Sequence, residues 1–443
     1  MATNYLTRSG TTPTSEQKGT FSAWVRVSDT EGSIGLVAQQ ADGNNQFMIF
    51  INATSEFEFY TTTSGSQFSR LVTNAKLRDP SAWYLLQAHW DNAQSTSSDR
   101  AKLYINGVEQ SLSVASYPGQ SNYNGLDGTG NQIVGSLSNL SYDCKADIAD
   151  LYYIDGATIA VTEFYETDAT TGEIKPDTNP TISSFGNAGY HLKFENANQG
   201  LDSKPSGATN FTTNGTIRKQ EDNPSNVFAT LNPLAGSISN NTLSNGNTSF
   251  QASSGWRWRP STICPSKGKF YYEVKMTGST PLYEVVGVVP QVSWKDMDGE
   301  TIGAGANSEA ESVGYNMNGT VLKANSTVYS GTSYTVGDVV CVAVDLDNRA
   351  IYFRKNGGSW ENSGDPTSGA SKTGAASLST TLDDWSLSTS ASGTDAGSSI
   401  NYGNGYFGTT AVSSAGTNAS GIGIFEFDCP NGYTALSTKG LNE

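Results

Sequence analysis

An all-β protein of short strands is the fold class this sequence predicts, on three observations. Charged residues make up only 15% of the chain, and 47 of its 443 residues are Gly, with Ser, Thr and Asn filling much of the remainder. Good helix formers are correspondingly few and turn formers many. Apolar residues alternate with polar ones through most of the patterned stretches, as in a strand with one buried face. Asn-Gly pairs at Asn106-Gly107 and Asn356-Gly357 supply the positive φ that tight turns need.

The first unit is expected over residues 1–195. GTFSAWVRVSD (19–29) sets Phe21, Ala23, Val25 and Val27 against Ser22, Trp24 and Arg26. QFMIFINA (46–53) and SEFEFY (55–60) follow the same rule, with Phe57 and Phe59 inward and Glu56 and Glu58 outward. AWYLLQAHWD (82–91) reads as a longer strand and KLYINGVEQ (102–110) as a hairpin, with DIADLYYIDG (147–156) and YHLKFE (190–195) closing the unit. VTEFYETD (161–168) is the best short-helix candidate. Residues 196–225 are rich in Gly, Asn, Ser and Thr, lack apolar period, and read as a linker.

The second unit is expected over 226–443, with strands at KGKFYYEVKMTG (267–278), YEVVGVVP (283–290) and SVGYNMNG (312–319). In GDVVCVAVDLDNRAIYFRKNG (337–357), Val340, Val342, Val344 and Leu346 face one way and Val339, Cys341 and Ala343 the other. A strand apolar on both faces must be covered on both. From Asp345 its outer face turns acidic, as if leaving the core. SLSTSASGTDAGSS (386–399) reads as a low-complexity surface loop.

Composition excludes several functions. Asp and Glu number 42 against 26 Lys and Arg, a net charge of −16, which disfavours nucleic acid and anionic membrane surfaces. No apolar run is long enough to span a membrane, and the N-terminus lacks the basic and apolar regions of a signal peptide. Cys144, Cys264, Cys341 and Cys429 lie far apart and read as small buried hydrophobes, with a Cys264–Cys429 bridge left open. His89 and Asp91 share a strand face, but no nucleophile elbow accompanies them. GLDGTGN (125–131) lacks the Lys and following helix of a phosphate cradle.

Two family resemblances rest on these motifs. GKFYYEVKM, VGYNMNG and GDVVCVAVDLDNRAIYFRKNG, in that order, resemble a SPRY domain. FSAWVRV, WYLLQAHWD, the KLYINGVEQ hairpin and IADLYYIDG resemble a concanavalin A-like, laminin-G-like domain. The tandem, with YLTR near the start, ATLNPL at the junction and CPNGYTAL near the end, is similar to virion structural proteins of tailed, notably marine, bacteriophages. The resemblance implies two antiparallel jelly-roll sandwiches, concanavalin A-like then SPRY-like, joined by the Gly/Ser/Asn-rich linker.

It also implies a location and partners: a surface-exposed head decoration or tail appendage, made in the host bacterial cytoplasm and homo-oligomeric in the particle. Its partners would be other virion proteins and a host-surface glycan. Glucanases of the first fold carry E-x-D-x-x-E; here E-x-D occurs at Glu166 and Asp168, followed by Thr171 where Glu is needed. A non-enzymatic protein is therefore expected. A polysaccharide depolymerase and a purely architectural capsid cement are the alternatives. Trp294, Tyr329 and Trp360 fall in expected loops of the second unit and are the candidate sugar-stacking residues. Laminin-G-like domains often carry calcium, and Asp296, Asp298 and Glu300 cluster in WKDMDGE as the candidate Ca2+ ligands. No other cofactor is expected.

Overall fold

A computed structural model describes residues 4–28, 32–42, 44–122, 130–137, 139–140, 144–169, 172–195, 198–278, 283–297, 299–304, 311–394 and 396–442. The chain divides into two compact units, Met1–Lys219 and Gln220–Glu443. Each is built on one eight-stranded and one six-stranded sheet. Among the described residues, strands pair antiparallel except at Thr434–Ala435, which runs parallel to Lys269–Met276; an isolated bridge between Asn404 and Ile424 is also parallel.

In the first unit, Lys18–Val27 lies between Ala146–Asp155 and Tyr84–Asp91, and its expected inward set Phe21, Ala23, Val25 and Val27 is buried. Phe47, Phe59 and Tyr153 surround Trp90 with ring centroids 5.2, 6.0 and 5.8 Å from it. Such tilted pairs add to the burial of large apolar area. Asn106 and Gly107 take φ of 53° and 75°, closing the hairpin that pairs Ile105 with Val108.

In the second unit, Val339–Asp345 is covered on both faces, as its apolar run requires. Val340, Val342 and Val344 enter the main core with Tyr272, Tyr315, Trp385 and Tyr402. Val339, Cys341 and Ala343 pack on the opposite side beneath Phe425, Cys429 and Tyr433 of the C-terminal segment. Buried tyrosines keep their hydroxyls paired: Tyr272 donates to the Gly287 carbonyl at 2.7 Å and Tyr402 to that of Leu387 at 2.6 Å.

Five expectations are corrected. The 161–168 stretch forms a single 3-10 turn, Val161–Phe164, then the strand Tyr165–Thr167 paired with Ile174–Pro176; its side chains suit a ribbon better than a helix. Residues 386–392, read as loop, belong to the strand Trp385–Ser392 inside the six-stranded sheet, with Ser386, Ser388, Thr389 and Ser390 fully buried. Their hydroxyls pair internally: Ser386 Oγ donates to the Val289 carbonyl at 2.9 Å, and Thr389 and Ser398 share a bond of 3.1 Å. Asp345 does not leave the core; it is fully buried, accepts from the Asn348 amide at 2.9 Å and pairs with Lys269 at 3.1 Å. Of the cysteines expected to be buried, Cys341 and Cys429 are, while Cys144 and Cys264 are only half-buried; all four are free, so the bridge left open between Cys264 and Cys429 is not made.

The fifth correction concerns the linker. Much of 196–225 is folded into the first unit: Phe211 is buried, and Thr212–Asn214 pairs with Tyr5–Arg8. Asp202 is buried against Arg8 at 3.1 Å. Arg8 also donates to Gln132 Oε1 at 2.6 Å and to the Ala188, Gly189 and Thr209 carbonyls at 2.9, 3.2 and 2.9 Å. Its guanidinium lies 4.8 and 4.7 Å from the rings of Tyr190 and Phe211. One arginine thus ties the first strand to the segment that follows the sandwich.

Candidate functional site

The three candidate stacking residues are half-buried, each packed against a different core cluster. Trp294 sits on the 3-10 turn Gln291–Asp296, edge-on to Trp258 at 6.4 Å, and its Nε1 donates to Ser386 Oγ at 3.3 Å. Trp360 lies over the Arg354 guanidinium at 4.6 Å and edge-on to Tyr352. Tyr329, on the strand Ser326–Ser330, packs against the main core; burial and then Glu361 push its phenol up. Of the calcium candidates, Glu300 is exposed, while Asp298 and the side chain of Asp296 lie outside the described residues, as does most of 125–131. Among the described residues no three His, Cys, Asp or Glu side chains gather as a metal set.

Four carboxylates of the first unit, Glu56, Glu58, Glu166 and Asp168, are engaged by basic partners. Glu166 and Asp168 both meet Lys175, at 3.4 and 3.7 Å. Glu58 accepts from Arg70 at 2.7 Å and Glu56 pairs with Lys76 at 3.2 Å, while Asn52 donates to both carboxylates. His89 packs at a tilt against Tyr104, ring centroids 5.0 Å apart, and burial, helped by Lys102, lowers its pKa to about 4. Asp91 instead pairs with Lys18 at 3.0 Å, so it does not orient the imidazole. His191, stacked on Tyr152 at 3.9 Å, is held by Asp150 at 2.7 Å.

A cleft of about 480 Å3 opens in the second unit, and none of the candidate stacking or calcium residues lines it. Residues of the C-terminal segment cover much of the outer face of the eight-stranded sheet, packing Phe407, Phe425 and Tyr433 near Tyr271 and Cys341. Glu273 clamps that cover. Its carboxyl accepts from the Glu426 and Phe427 amides at 2.8 Å each, from the Tyr271 hydroxyl at 3.1 Å and from Asn401 Nδ2 at 3.3 Å. Burial pushes its pKa up to about 7, against the pull of those four donors.

At the hairpin pairing Tyr406–Phe407 with Thr410–Ala411, the outer face opens into the cleft. The floor comes from Ser249–Ala252 and Gly397–Asn401, the near side from Ser244 and Asn245, and the wall from Phe407 to Thr410. Asn245 donates to Ser249 Oγ at 3.0 Å, and Ser249 and Ser399 share a bond of 2.9 Å. Gly408, at φ 58°, could not carry a side chain: a Cβ would fall 2.8 Å from Ser249 Oγ and 3.1 Å from Ser399 Oγ. No lining residue is ionisable. Nearby Lys275 is turned over the Phe407 ring, 5.6 Å from its centroid. The cleft lining supplies no general acid or base. Its residues come from segments around 245, 251, 277, 397 and 408, so no linear motif announces it.

Residues 2–160 match the family model of the concanavalin A-like lectin/glucanases superfamily, of laminin-G type, and residues 269–373 match the SPRY domain. The chain therefore carries a concanavalin A-like, laminin-G-like domain followed by a SPRY domain. Among solved structures it is similar to the SPRY domain of human HERC1, at 16% identity and a TM-score of 0.30, over 38% of this chain and 96% of that one. It is also similar to domains LG4-5 of the mouse laminin alpha1 chain, at 10% identity and a TM-score of 0.31, over 97% of this chain and 92% of that one. The native heptameric SAP-like pentraxin from Limulus polyphemus is similar at 11% identity and a TM-score of 0.29, over 41% of this chain and 89% of that one. Against curated proteins the chain finds no match.

Proposed function

We propose that this chain is a non-enzymatic structural protein of a tailed-phage particle, displayed outside as a head decoration or tail appendage and able to hold host-surface glycan. The observation that carries the binding part is the union of two sandwich modules in one chain, with an uncharged cleft in the second. Folds of both kinds often serve adhesion or binding. The non-enzymatic part is supported by the pairing of Glu56, Glu58, Glu166 and Asp168 with Lys or Arg, which engages the carboxylates a glucanase-like reading would use.

The particle part rests on the resemblance of YLTR, ATLNPL and CPNGYTAL to motifs of virion structural proteins; in the fold Arg8, Leu231 and Tyr433 of these motifs are buried packing residues. Many copies on one particle would let weak sites suffice, since linked sites gain ~10²–10⁴ in avidity. Purified chain, fixed on beads, is expected to retain host cells or their surface polysaccharide and to release no reducing ends from it. Reducing ends appearing with time would replace this reading with a depolymerase.

A further inference from the structure

The geometry points to the cleft beside Gly408 as a binding site for a short neutral oligosaccharide. The inference rests on reading the chain as a binding protein and adds where it binds and what chemistry it takes. Strand register lays the cleft floor out in rows. Ser244 faces Ser249, which faces Ser399. In the next row Gln251 faces Gly397, and the Thr277 amide donates to the Gly397 carbonyl at 2.9 Å. The floor is thus a small grid of hydroxyl and amide groups spaced by strand separation, with a side-chain-free dip at Gly397. That dip is enforced, because a Cβ there would lie 2.6 Å from the Phe250 carbonyl oxygen.

Ligand chemistry follows from what the lining holds and what it lacks. Hydroxyls both donate and accept, and amides offer both, so the grid matches a ligand that presents many hydroxyls of either role. A metal cation would find no carboxylate in the lining. A phosphate or sulfate would find no cation in it, and Lys275 is already seated on Phe407. An apolar ligand would meet little apolar wall, since Phe250 and Phe407 are 2% and 3% exposed. A cleft of about 480 Å3 falls within the roughly 300–1,000 Å3 usual for small-ligand sites. With no exposed ring for stacking, affinity for one short chain is expected near about 1 mM, the range that multivalent display makes useful.

The test uses the full chain and a panel of neutral oligosaccharides (cellohexaose, maltohexaose and galactohexaose), read by saturation-transfer NMR. Gln251 and Thr277 are exposed, so Q251A and T277W leave the core untouched, and unchanged thermal unfolding checks this. Transfer to at least one oligosaccharide is expected, weakened about tenfold or more in each variant, as the loss of one or two hydrogen bonds or a filled mouth implies. Transfer that is absent at about 10 mM ligand, or undiminished in both variants, would overturn the inference. So would binding of only an acidic oligosaccharide or an extended peptide. If wild-type chain retains host cells while this panel fails, the cleft assignment falls and the binding reading stands; if neither binds, both fall.

Discussion

Replacing Arg8 with alanine is expected to lower the stability of the first unit by ~3–5 kcal/mol, the usual cost of stripping one partner from a buried ion pair. Asp202 would remain with its carboxylate buried, and four acceptors spread over Gln132, Ala188, Gly189 and Thr209 would lose their donor. Asp202 would keep the amides of His191, Lys204 and Thr209, each at 3.1 Å, so it would not be wholly bare. That network sets the upper limit of the effect. In a domain of this size the loss corresponds to roughly 10 °C in Tm. Calorimetry of the full chain should show the transition of one unit moving down while that of the other stays. A change below about 1 kcal/mol would mean that the arginine acts only as a surface contact.

Glu284→Gln is expected to remove a pH dependence from the second unit. Glu284 is buried in the strand Tyr283–Pro290; among the described residues it has no basic partner, its Oε2 has no hydrogen-bond partner, and only the Gly397 amide supports the charge. Burial raises its pKa from 4.5 to about 8. The folded state therefore binds a proton that the unfolded state has released, and stability falls as pH rises between those two values. Below about 4.5 the glutamate is neutral in both states and costs nothing; above about 8 the full cost of burying the charge, on the order of 4 kcal/mol, is felt. Glutamine is neutral throughout. Denaturant unfolding of wild type and E284Q from pH 5 to pH 9 should give curves that converge at the acid end and part at the alkaline end, with E284Q the more stable. Taking the difference cancels the similar slope from Glu273, whose pKa burial also raises. A difference that stays flat with pH would show that water or an unseen donor reaches Glu284.

Strand alternation made most of both sandwiches legible, and the doubly apolar run at 339–344 announced a strand with cover on both faces. Two stretches misled. In Trp385–Ser392 the core face holds Trp385, Leu387, Thr389 and Ala391, but Ser386, Ser388 and Ser390 fill the other face, and these buried hydroxyls make a central strand read as a low-complexity loop. Around Asp202 and Lys204 a polar segment is fixed by an ion pair and backbone amides, not by apolar period, so an integrated clasp reads as linker.

The site was less legible than the fold. Aromatics placed in apparent loops were natural candidates for stacking, yet Trp294, Tyr329 and Trp360 each found an aromatic, cationic or apolar neighbour to cover them. Among the described residues the aromatic left exposed is Tyr283, 70% accessible beside Trp256, which the linear pattern did not mark out. The cleft could not be read at all. Ser, Thr, Gly and Asn are the commonest residues of every turn in this chain, and only strand pairing shows which of them meet.

Immunogold labelling of intact particles with an antibody raised against this chain tests most directly whether it is a displayed virion protein. Label is expected on particles, either along the head surface or at tail or fibre ends. Label at tail or fibre ends would direct attention to host attachment, and label over the head to decoration. Particles that carry no label, while the same antibody detects the chain in the infected cell, would contradict the virion assignment outright.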